Sequence, residues 1–200
     1  ILVNDLKTKK IIIGYDHRFG RNRNANINDL VAFGNALDFE VEEISAQEVD
    51  DVSVSSTKIR KALEEGDMKT ANMYLGYNYM LTGSIVKGKG IGRKLNFPTA
   101  NLSIPEEYKL IPKNGVYVVS SVLEGKTVFG MMNIGFNPTV EGKTKSIEIN
   151  FFDFDQDLYG KKIQIDIIDR IRDEKKFNSL EGLQAQLTKD RETSLSIISK

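Results

Sequence analysis

The sequence predicts two folds in succession: an α/β unit, then a small, mainly antiparallel β-barrel followed by a C-terminal helix. Residues 11–78 alternate short apolar runs with segments of helical spacing, which is typical of α/β proteins with a parallel sheet. From residue 81 onward, short runs rich in Val, Ile, Tyr and Phe are separated by Gly or Asn turns, which is typical of small antiparallel barrels. We therefore expect a boundary near Asn78, with modules at residues 1–78 and 79–200.

Composition and charge exclude several classes of function. The 28 Lys and Arg residues balance 28 Asp and Glu, and this leaves no cationic footprint for a nucleic acid. No apolar run approaches the length of a membrane span, and the N-terminus has no signal-peptide pattern. The absence of cysteine fits a cytoplasmic protein without disulfides or thiolate zinc sites. We expect neither a nucleic-acid nor a membrane partner.

The first module begins with a predicted buried strand at residues 11–13, which runs into the polar loop Gly14-Tyr15-Asp16-His17-Arg18-Phe19-Gly20. A helix is predicted over residues 29–37, and Phe39, Val41 and Ile44 predict another strand. Open α/β sheets bind ligands in the loop that follows such a strand. An ordinary βα turn explains the same pattern equally well.

Two helices are predicted at the end of this module. Ser55 or Ser56 can cap a helix that runs to residue 65 and is closed by Gly66, and Asp67 can cap a last helix that Gly76 ends. Capping alone explains the serines. The functional interpretation is a helix N-terminus that binds phosphates through hydroxyls, backbone N–H groups and Arg60.

The second module is predicted from strand periodicity. Alternation at residues 145–153 places Ile147, Ile149 and Phe151 on one face and Glu148 and Asn150 on the other. The remaining predicted elements are strands at residues 81–86, 115–123, 127–134 and 162–170, a helix at residues 178–187 that Asn178 and Glu181 cap, and a second helical stretch to residue 198. The acidic residues at 153, 155 and 157 lack the Gly and closing Glu of a calcium loop and predict a turn.

A glycine-rich stretch after the first barrel strand is the candidate site for binding phosphate and Mg²⁺. Closely spaced glycines allow backbone N–H groups to approach an anion, and Thr99 and Asn101 offer the hard oxygen ligands that Mg²⁺ prefers. The pattern does not fit a P-loop, since Gly90 stands where Ser or Thr is needed. It does not fit the dinucleotide fingerprint either, because this sequence lacks the third glycine of that motif. A plain loop remains an alternative. The glycines concerned are Gly83, Gly88, Gly90 and Gly92.

This stretch resembles the signature of the riboflavin kinase family, whose hallmark is the tetrad Pro98-Thr99-Ala100-Asn101. Asn96 stands where the bacterial family usually has Gly, and asparagine is the residue that best tolerates a positive φ in place of glycine. Residues 144–150, TKSIEIN, resemble the family strand that bears the catalytic glutamate, and Glu148 is the matching position. Alternation alone equally explains Glu148 as a solvated residue on the outer face.

The resemblance implies a six-stranded barrel that transfers the γ-phosphoryl group of ATP to the 5′-hydroxyl of riboflavin and yields FMN. Thr99 and Asn101 would bind ATP and hold Mg²⁺, and Glu148 would act as general base. The ATP-binding glycines implied are Gly83, Gly88, Gly90 and Gly92. A flavin- or nucleotide-binding module without turnover, and a purely structural or oligonucleotide-binding barrel, are the alternatives.

Three further segments match the family. Residues 132–139 resemble a strand and turn near the flavin and nucleotide, residues 157–160 resemble a flap, and residues 172–177 resemble a wall of the flavin site. A turn and solvated charge runs are the alternatives.

The first module resembles the FMN adenylyltransferase part of bacterial bifunctional FAD synthetases, a Rossmann-like nucleotidyltransferase. The loop resembles GxDxxFG and residues 55–60 resemble SSTxIR. Adenylyl transfer in that family needs an HxGH motif, whereas this sequence has one histidine, His17, and starts at Ile1. We expect the missing part to lie upstream, so that the 200-residue chain makes FMN but not FAD. The nucleotide-binding residues implied are Gly14, Asp16, Phe19, Gly20, Ser56, Thr57 and Arg60.

Overall fold

The computed structural model describes residues 2–15, 17–45, 48–49, 52–88, 90–139 and 142–199. The chain divides into two compact units, residues 1–54 and residues 55–200. The second unit therefore includes the two helices that the sequence predicts at the end of the first module. The module boundary near Asn78 stays a prediction.

The first unit is a β–α–β arrangement. Strand β1 (Lys10–Gly14) pairs in parallel with β2 (Glu40–Ile44), with Ile11 opposite Val41. Helix α1 (Ile27–Leu37) connects them and starts with a capping box between Asn26 and Asp29. The unit also contains a 3₁₀ turn (Arg21–Arg23) and the short antiparallel pair β3 (Glu48–Val49) and β4 (Val52–Ser53).

The expected parallel strand is present, but it is buried on one face only. Ile13 is 7% exposed, whereas Ile12 is 58% exposed. Successive residues of a strand point to opposite faces, and α1 packs Gly34 on the Val41 face, to which Ile13 also belongs. The prediction of a fully buried strand is therefore wrong for Ile12.

The second unit opens with helices α2 (Ser56–Glu65) and α3 (Met68–Leu75), and both follow the predicted caps. The Ser55 hydroxyl accepts a hydrogen bond from the Lys58 N–H at 3.3 Å, and Gly66 ends α2 with φ +79°. Asp67 accepts hydrogen bonds from the Thr70 N–H and hydroxyl. Leu63, Met68 and Ala71 join the barrel core, which explains why both helices belong to this unit.

Six antiparallel strands close the barrel, in the order β10-β5-β6-β9-β8-β7, which confirms the predicted architecture. The core lies inside, where Leu81, Tyr117, Met132, Ile149 and Ile165 are fully buried. The strands are β5 (Tyr79–Val86), β6 (Ala100–Ser103), β7 (Gly115–Leu123), β8 (Lys126–Thr139), β9 (Gly142–Phe151) and β10 (Lys162–Arg172).

Two elements differ from the prediction. The C-terminal segment is one helix, α5 (Leu180–Ile198), rather than two, and Ser179 rather than Asn178 caps it by accepting a hydrogen bond from the Gly182 N–H. Strand β6 was not predicted, because a strand of four residues that begins two positions after Pro98 has too short a pattern to be recognised. None of the described helices is long and apolar enough to cross a membrane.

Candidate active site

The glycine-rich segment after β5 forms a tight loop. Gly90 has φ +70°, in the left-handed region that glycine adopts freely, and it precedes the short helix α4 (Ile91–Lys94). The Phe97 N–H donates to the Gly92 carbonyl at 2.9 Å and closes the loop. Asn96 has φ +64°. The expectation that asparagine sustains a positive φ at this position is confirmed.

Two glycines of the loop lie in close contacts: Gly88 against the predicted ligand Asn101, and Gly92 against the backbone of Phe97. A Cβ added at Gly88 would lie 2.0 Å from Nδ2 of Asn101, and one added at Gly92 would lie 2.2 Å from the Phe97 carbonyl oxygen. Gly83 differs, since it lies within β5 and its own Cβ would meet the Ser103 carbonyl oxygen at 2.4 Å. The close approach of two strands is sufficient to explain glycine there.

The residues singled out as metal ligands and general base meet where β6 pairs with β9. Asn101 lies opposite Glu148 in the ladder. The Thr99 hydroxyl donates to Oε2 of Glu148 at 3.4 Å. On the other side of β9, Asn133 of β8 also lies opposite Glu148. Glu148 therefore has a polar side chain in register on each neighbouring strand.

The side chain of Asn150 fixes the Thr99 segment to the barrel. Its Nδ2 donates to the Pro98 carbonyl at 2.7 Å, and the side chain is almost fully buried. Ile147 and Ile149 point into the core, as the alternation predicted, so Glu148 and Asn150 lie on the outer face of the barrel. Glu148 is half-buried there rather than fully solvated.

A first cavity of about 460 Å³, which we call the Arg93 cavity, lies on one side of Thr99. Its walls combine the end of β5 and the Thr99 segment with the loop that follows β9. Residues of the predicted flap, Asp157, Leu158 and Tyr159, form part of this wall. The lining residues are Ile85, Arg93, Pro98, Thr99, Ala100, Ile149, Phe151, Phe154, Asp155, Gln156, Asp157, Leu158 and Tyr159.

A second cavity of about 320 Å³, the helix cavity, lies between the outer barrel face and α5. Thr99 lines both cavities, and Glu148 lines the second. The walls of the helix cavity are mostly apolar and include side chains of the glycine loop, β7, β8 and α5. The lining residues are Gly92, Leu95, Phe97, Thr99, Val116, Met131, Met132, Asn133, Glu148, Asn150, Arg172, Glu174, Lys175, Phe177, Leu183 and Leu187.

The segment after β10 is anchored electrostatically. Arg170 donates to Asp173 at 2.6 Å, and Lys113 lies 3.4 Å from the same carboxylate oxygen. The pKa of Asp173 is lowered, mainly by the hydrogen bond from Arg170, so this carboxylate stays ionised near neutral pH. Arg170 also lies over the ring of Tyr117, and burial raises the pKa of that phenol. These contacts fix the chain just before Glu174 enters the helix cavity.

The site residues predicted for the first module fall in different units. Gly14 ends β1, while Phe19 and Gly20 lie in the loop after it, where Phe19 exchanges backbone hydrogen bonds with Ala25. Asp16 lies outside the described residues. Ser56, Thr57 and Arg60 belong to α2 in the second unit, where Arg60 donates to the Ser56 hydroxyl at 3.2 Å. Phosphate binding by these residues stays a prediction.

Comparison with known proteins identifies the second unit. Residues 75–198 match the family model of riboflavin kinase, which covers the barrel, both cavities and α5. The chain belongs to the riboflavin kinase family. Residues 1–58 match the model of FAD synthetase.

Curated relatives of this chain are named for both activities. The bifunctional riboflavin kinase/FMN adenylyltransferase of Listeria monocytogenes is 37% identical over 196 residues, which are 98% of this chain and 62% of the relative. That of Buchnera aphidicola from Acyrthosiphon pisum is 41% identical over 193 residues, 95% of this chain and 61% of the relative. The chain thus spans about three fifths of the length of these relatives.

A solved structure supports the fold over both units. It is described as a macrolide-efflux protein from Streptococcus pneumoniae, with a TM-score of 0.79, 36% identity, and coverage of 92% of this chain and 59% of that one. The described residues contain no group of three or more His, Cys, Asp or Glu side chains that could hold a metal ion.

Sequence reasoning missed one feature of the kinase site. Asp190 of α5 forms a buried ion pair with Arg172 at the edge of the helix cavity. A single aspartate in a helix gives no local indication of such a contact. The only available indication was that Asp190 falls close to the apolar positions Leu183 and Leu187 on a helical repeat.

Proposed function

We propose that this chain catalyses transfer of the γ-phosphoryl group of ATP to the 5′-hydroxyl of riboflavin, which gives FMN and ADP. The observation that carries the proposal is the position of Thr99, which lines both cavities and lies 3.4 Å from Glu148. Phosphoryl transfer requires two substrates to meet at one point, with a carboxylate beside the attacking hydroxyl.

The two cavities suit different substrates. The helix cavity has the apolar walls that a flavin ring requires, and Glu148 lies within it. The Arg93 cavity adjoins the glycine loop and contains a cation, Arg93, which favours a polyphosphate. We assign riboflavin to the helix cavity and ATP to the Arg93 cavity. The γ-phosphoryl group then lies near Thr99.

Mg²⁺ fits the ligand atoms that this site offers. The Thr99 hydroxyl and the Asn101 amide provide hard oxygens, and Mg²⁺ typically takes only one or two protein ligands beside substrate phosphates. We propose that these two residues hold the ion. When bound, Mg²⁺ neutralises charge on the phosphates of ATP.

Glu148 has the role of general base in this proposal. It accepts the proton of the riboflavin 5′-hydroxyl as that oxygen attacks the γ-phosphorus, and ADP leaves. Asn101 and Asn133, in register on either side of Glu148, limit the directions in which its carboxylate can turn. The glycine loop, with Gly88 and Gly92 against Asn101 and Phe97, keeps water from the reacting oxygen.

We propose a second activity for the whole protein, adenylylation of FMN to FAD. It rests on the match of residues 1–58 to FAD synthetase and on the names of the curated relatives. We assign nucleotide binding in this activity to Gly14, Phe19 and Gly20 of the first unit, while phosphate binding by Ser56, Thr57 and Arg60 of α2 remains a separate expectation for the second unit. We also propose that the protein acts in the cytoplasm on the small-molecule substrates riboflavin and ATP, with neither nucleic acid nor membrane as a partner.

The test of the kinase proposal is product analysis. The purified chain is incubated with riboflavin and ATP, with and without Mg²⁺, and flavins are separated by chromatography. Formation of FMN with stoichiometric ADP, dependent on Mg²⁺, is the expected result. Binding of riboflavin and MgATP without FMN would instead identify a non-catalytic flavin-binding module. No binding of either ligand would favour a structural barrel.

A further inference from the structure

Helix α5 is attached to the barrel by an ion pair whose carboxylate is almost completely buried. The Asp190 side chain is 1% exposed and that of Arg172 is 21% exposed. Arg172 donates through Nε at 2.9 Å to Oδ1 and through Nη2 at 2.6 Å to Oδ2, which is the bidentate geometry of the strongest arginine–carboxylate pairs. Gln186 donates to the same Oδ1 at 2.9 Å.

The ion pair connects the two parts of the chain that close the helix cavity. Arg172 is the last residue of β10, and its Nη1 donates to the Asp173 carbonyl at 2.9 Å, at the start of the segment that carries Glu174 and Phe177. Asp190 lies one helical turn after Leu187, which lines the same cavity. One carboxylate thus fixes both the helix and the strand end.

Stability alone does not require this arrangement. A buried ion pair can often be replaced by apolar residues of similar volume without loss of stability, because desolvation of the charges offsets their attraction. Apolar burial is non-directional, whereas a bidentate pair defines distance and orientation. The distinctive effect of the pair is therefore on the position of α5 relative to β10, and hence on the width of the cavity.

We propose that Asp190 is a positioning residue for riboflavin. Through Arg172 it holds α5 and the 173–177 segment at the separation that a flavin ring requires. It acts on flavin affinity and leaves MgATP use and the chemical step nearly unchanged, because Thr99 directly precedes β6, Glu148 lies on β9, and neither belongs to α5. This inference rests on the proposed function, which assigns riboflavin to the helix cavity.

Three variants separate positioning from simple stabilisation. Asp190→Asn keeps Arg172 but loses the ionic bidentate pair. Arg172→Lys keeps the positive charge but not the fork geometry of the guanidinium. The double variant Arg172→Met with Asp190→Leu replaces the ion pair by apolar side chains of similar volume. Arg191→Lys is the matched control, since Arg191 pairs with Asp153 at 3.0 Å on the outside of α5, where the two side chains are 42% and 84% exposed.

Each protein is measured by thermal unfolding, by riboflavin fluorescence quenching for Kd, and by steady-state kinetics for both substrates, below the lowest melting temperature. We expect the double variant to melt close to the parent, and all three variants to raise the riboflavin Kd about tenfold or more, the effect of one lost charged hydrogen bond. The KM for MgATP should change less than about twofold, within the effect of an exposed contact. Arg191→Lys should match the parent throughout.

Several results would overturn the inference. Parental riboflavin affinity in folded Asp190→Asn would do so even if the double variant binds weakly, since loss of a direct Arg172 contact would then explain the weakness. If Asp190→Asn does not fold, parental affinity in Arg172→Lys or in a stable double variant has the same consequence. If the parent binds riboflavin but forms no FMN, the proposed function fails, while the Kd values still decide the role of Asp190.

Discussion

The Thr99 hydroxyl lies 3.4 Å from Oε2 of Glu148, although 49 positions separate the two residues in the sequence. Pairing of β6 with β9, in which Asn101 lies opposite Glu148, brings them together. The hydrogen bond from Asn150 to the Pro98 carbonyl fixes the Thr99 segment against the same strand. The hydroxyl that we propose as a Mg²⁺ ligand and the carboxylate that we propose as general base therefore lie next to each other on the barrel.

Replacing Glu148 by Gln tests the general base. The variant keeps the size of the side chain and should fold and bind both substrates, because Ile147 and Ile149 still anchor the strand in the core. Turnover should fall by about 10²- to 10⁴-fold, the usual contribution of a general base. Steady-state kinetics measure the effect, with Glu124→Gln, at an exposed pair with Lys161, as control. Near-parental turnover would remove Glu148 from this role.

Replacing Thr99 or Asn101 by Ala tests the Mg²⁺ assignment. Each variant should raise the KM for MgATP by about tenfold or more, as expected for one lost contact to a charged group, and change riboflavin affinity far less. Thr99→Ser keeps the hydroxyl and should restore most of the activity. Titration of activity with Mg²⁺ provides the second measurement, and unchanged Mg²⁺ dependence in both alanine variants contradicts the assignment.

Gly88→Ala tests the contact between the glycine loop and Asn101. The new Cβ would lie within 2.0 to 2.8 Å of the Asn101 amide atoms, so the amide must move. We expect the kinetic defect of Asn101→Ala, with little loss of stability because the collision is with the end of one side chain. The double variant Gly88→Ala with Asn101→Ala should have the same KM for MgATP as Asn101→Ala alone, since the two changes act on one contact. Gly182→Ala in α5, where the nearest atom is 3.3 Å away, is the control. Additive losses in the double variant would show independent effects.

Asp67→Ala tests the N-cap of α3. Loss of the hydrogen bonds to Thr70 should lower the free energy of unfolding by about 1 kcal/mol at neutral pH. These hydrogen bonds lower the pKa of Asp67 below its usual 3.8 in the folded protein. The ionised carboxylate therefore contributes to the free energy of unfolding above pH 3.8, and this contribution is lost as the pH falls through the folded-state pKa. Urea unfolding at pH 6 and at pH 3 should show a smaller difference between parent and variant at pH 3. A difference independent of pH contradicts the ionic part of this interpretation.

The 200-residue chain should not convert FMN to FAD. Preorganised donors often make the largest contribution to catalysis, and loss of one costs about 10²- to 10³-fold. The adenylyltransferase family it resembles uses two histidines of an HxGH motif, and this sequence has only His17. Incubation with FMN and MgATP, followed by analysis for FAD and pyrophosphate, measures the activity. FAD formed at a rate comparable with FMN formation from riboflavin would show that the first module has been misinterpreted.

Local patterns were sufficient for much of the fold. Alternation placed Ile147 and Ile149 inside the barrel, Ser55 and Gly66 marked the ends of α2, and Asn96 took the positive φ that its position demands. Errors arose where the local pattern was short or ambiguous. Strand β6 has only four residues, and the N-cap of α5 lies one residue beyond the expected Asn178.

The sequence by itself determined the order of the elements, the alternation of the strands and the motif that resembles riboflavin kinase, because side-chain periodicity and capping act over a few residues. Only the tertiary structure decided that Thr99 meets Glu148, that Gly88 lies on Asn101, and that Asp190 pairs with Arg172. These contacts depend on the register in which the strands close the barrel and on where α5 packs against it. No local pattern encodes that register, since it is set by the burial of the whole core at once.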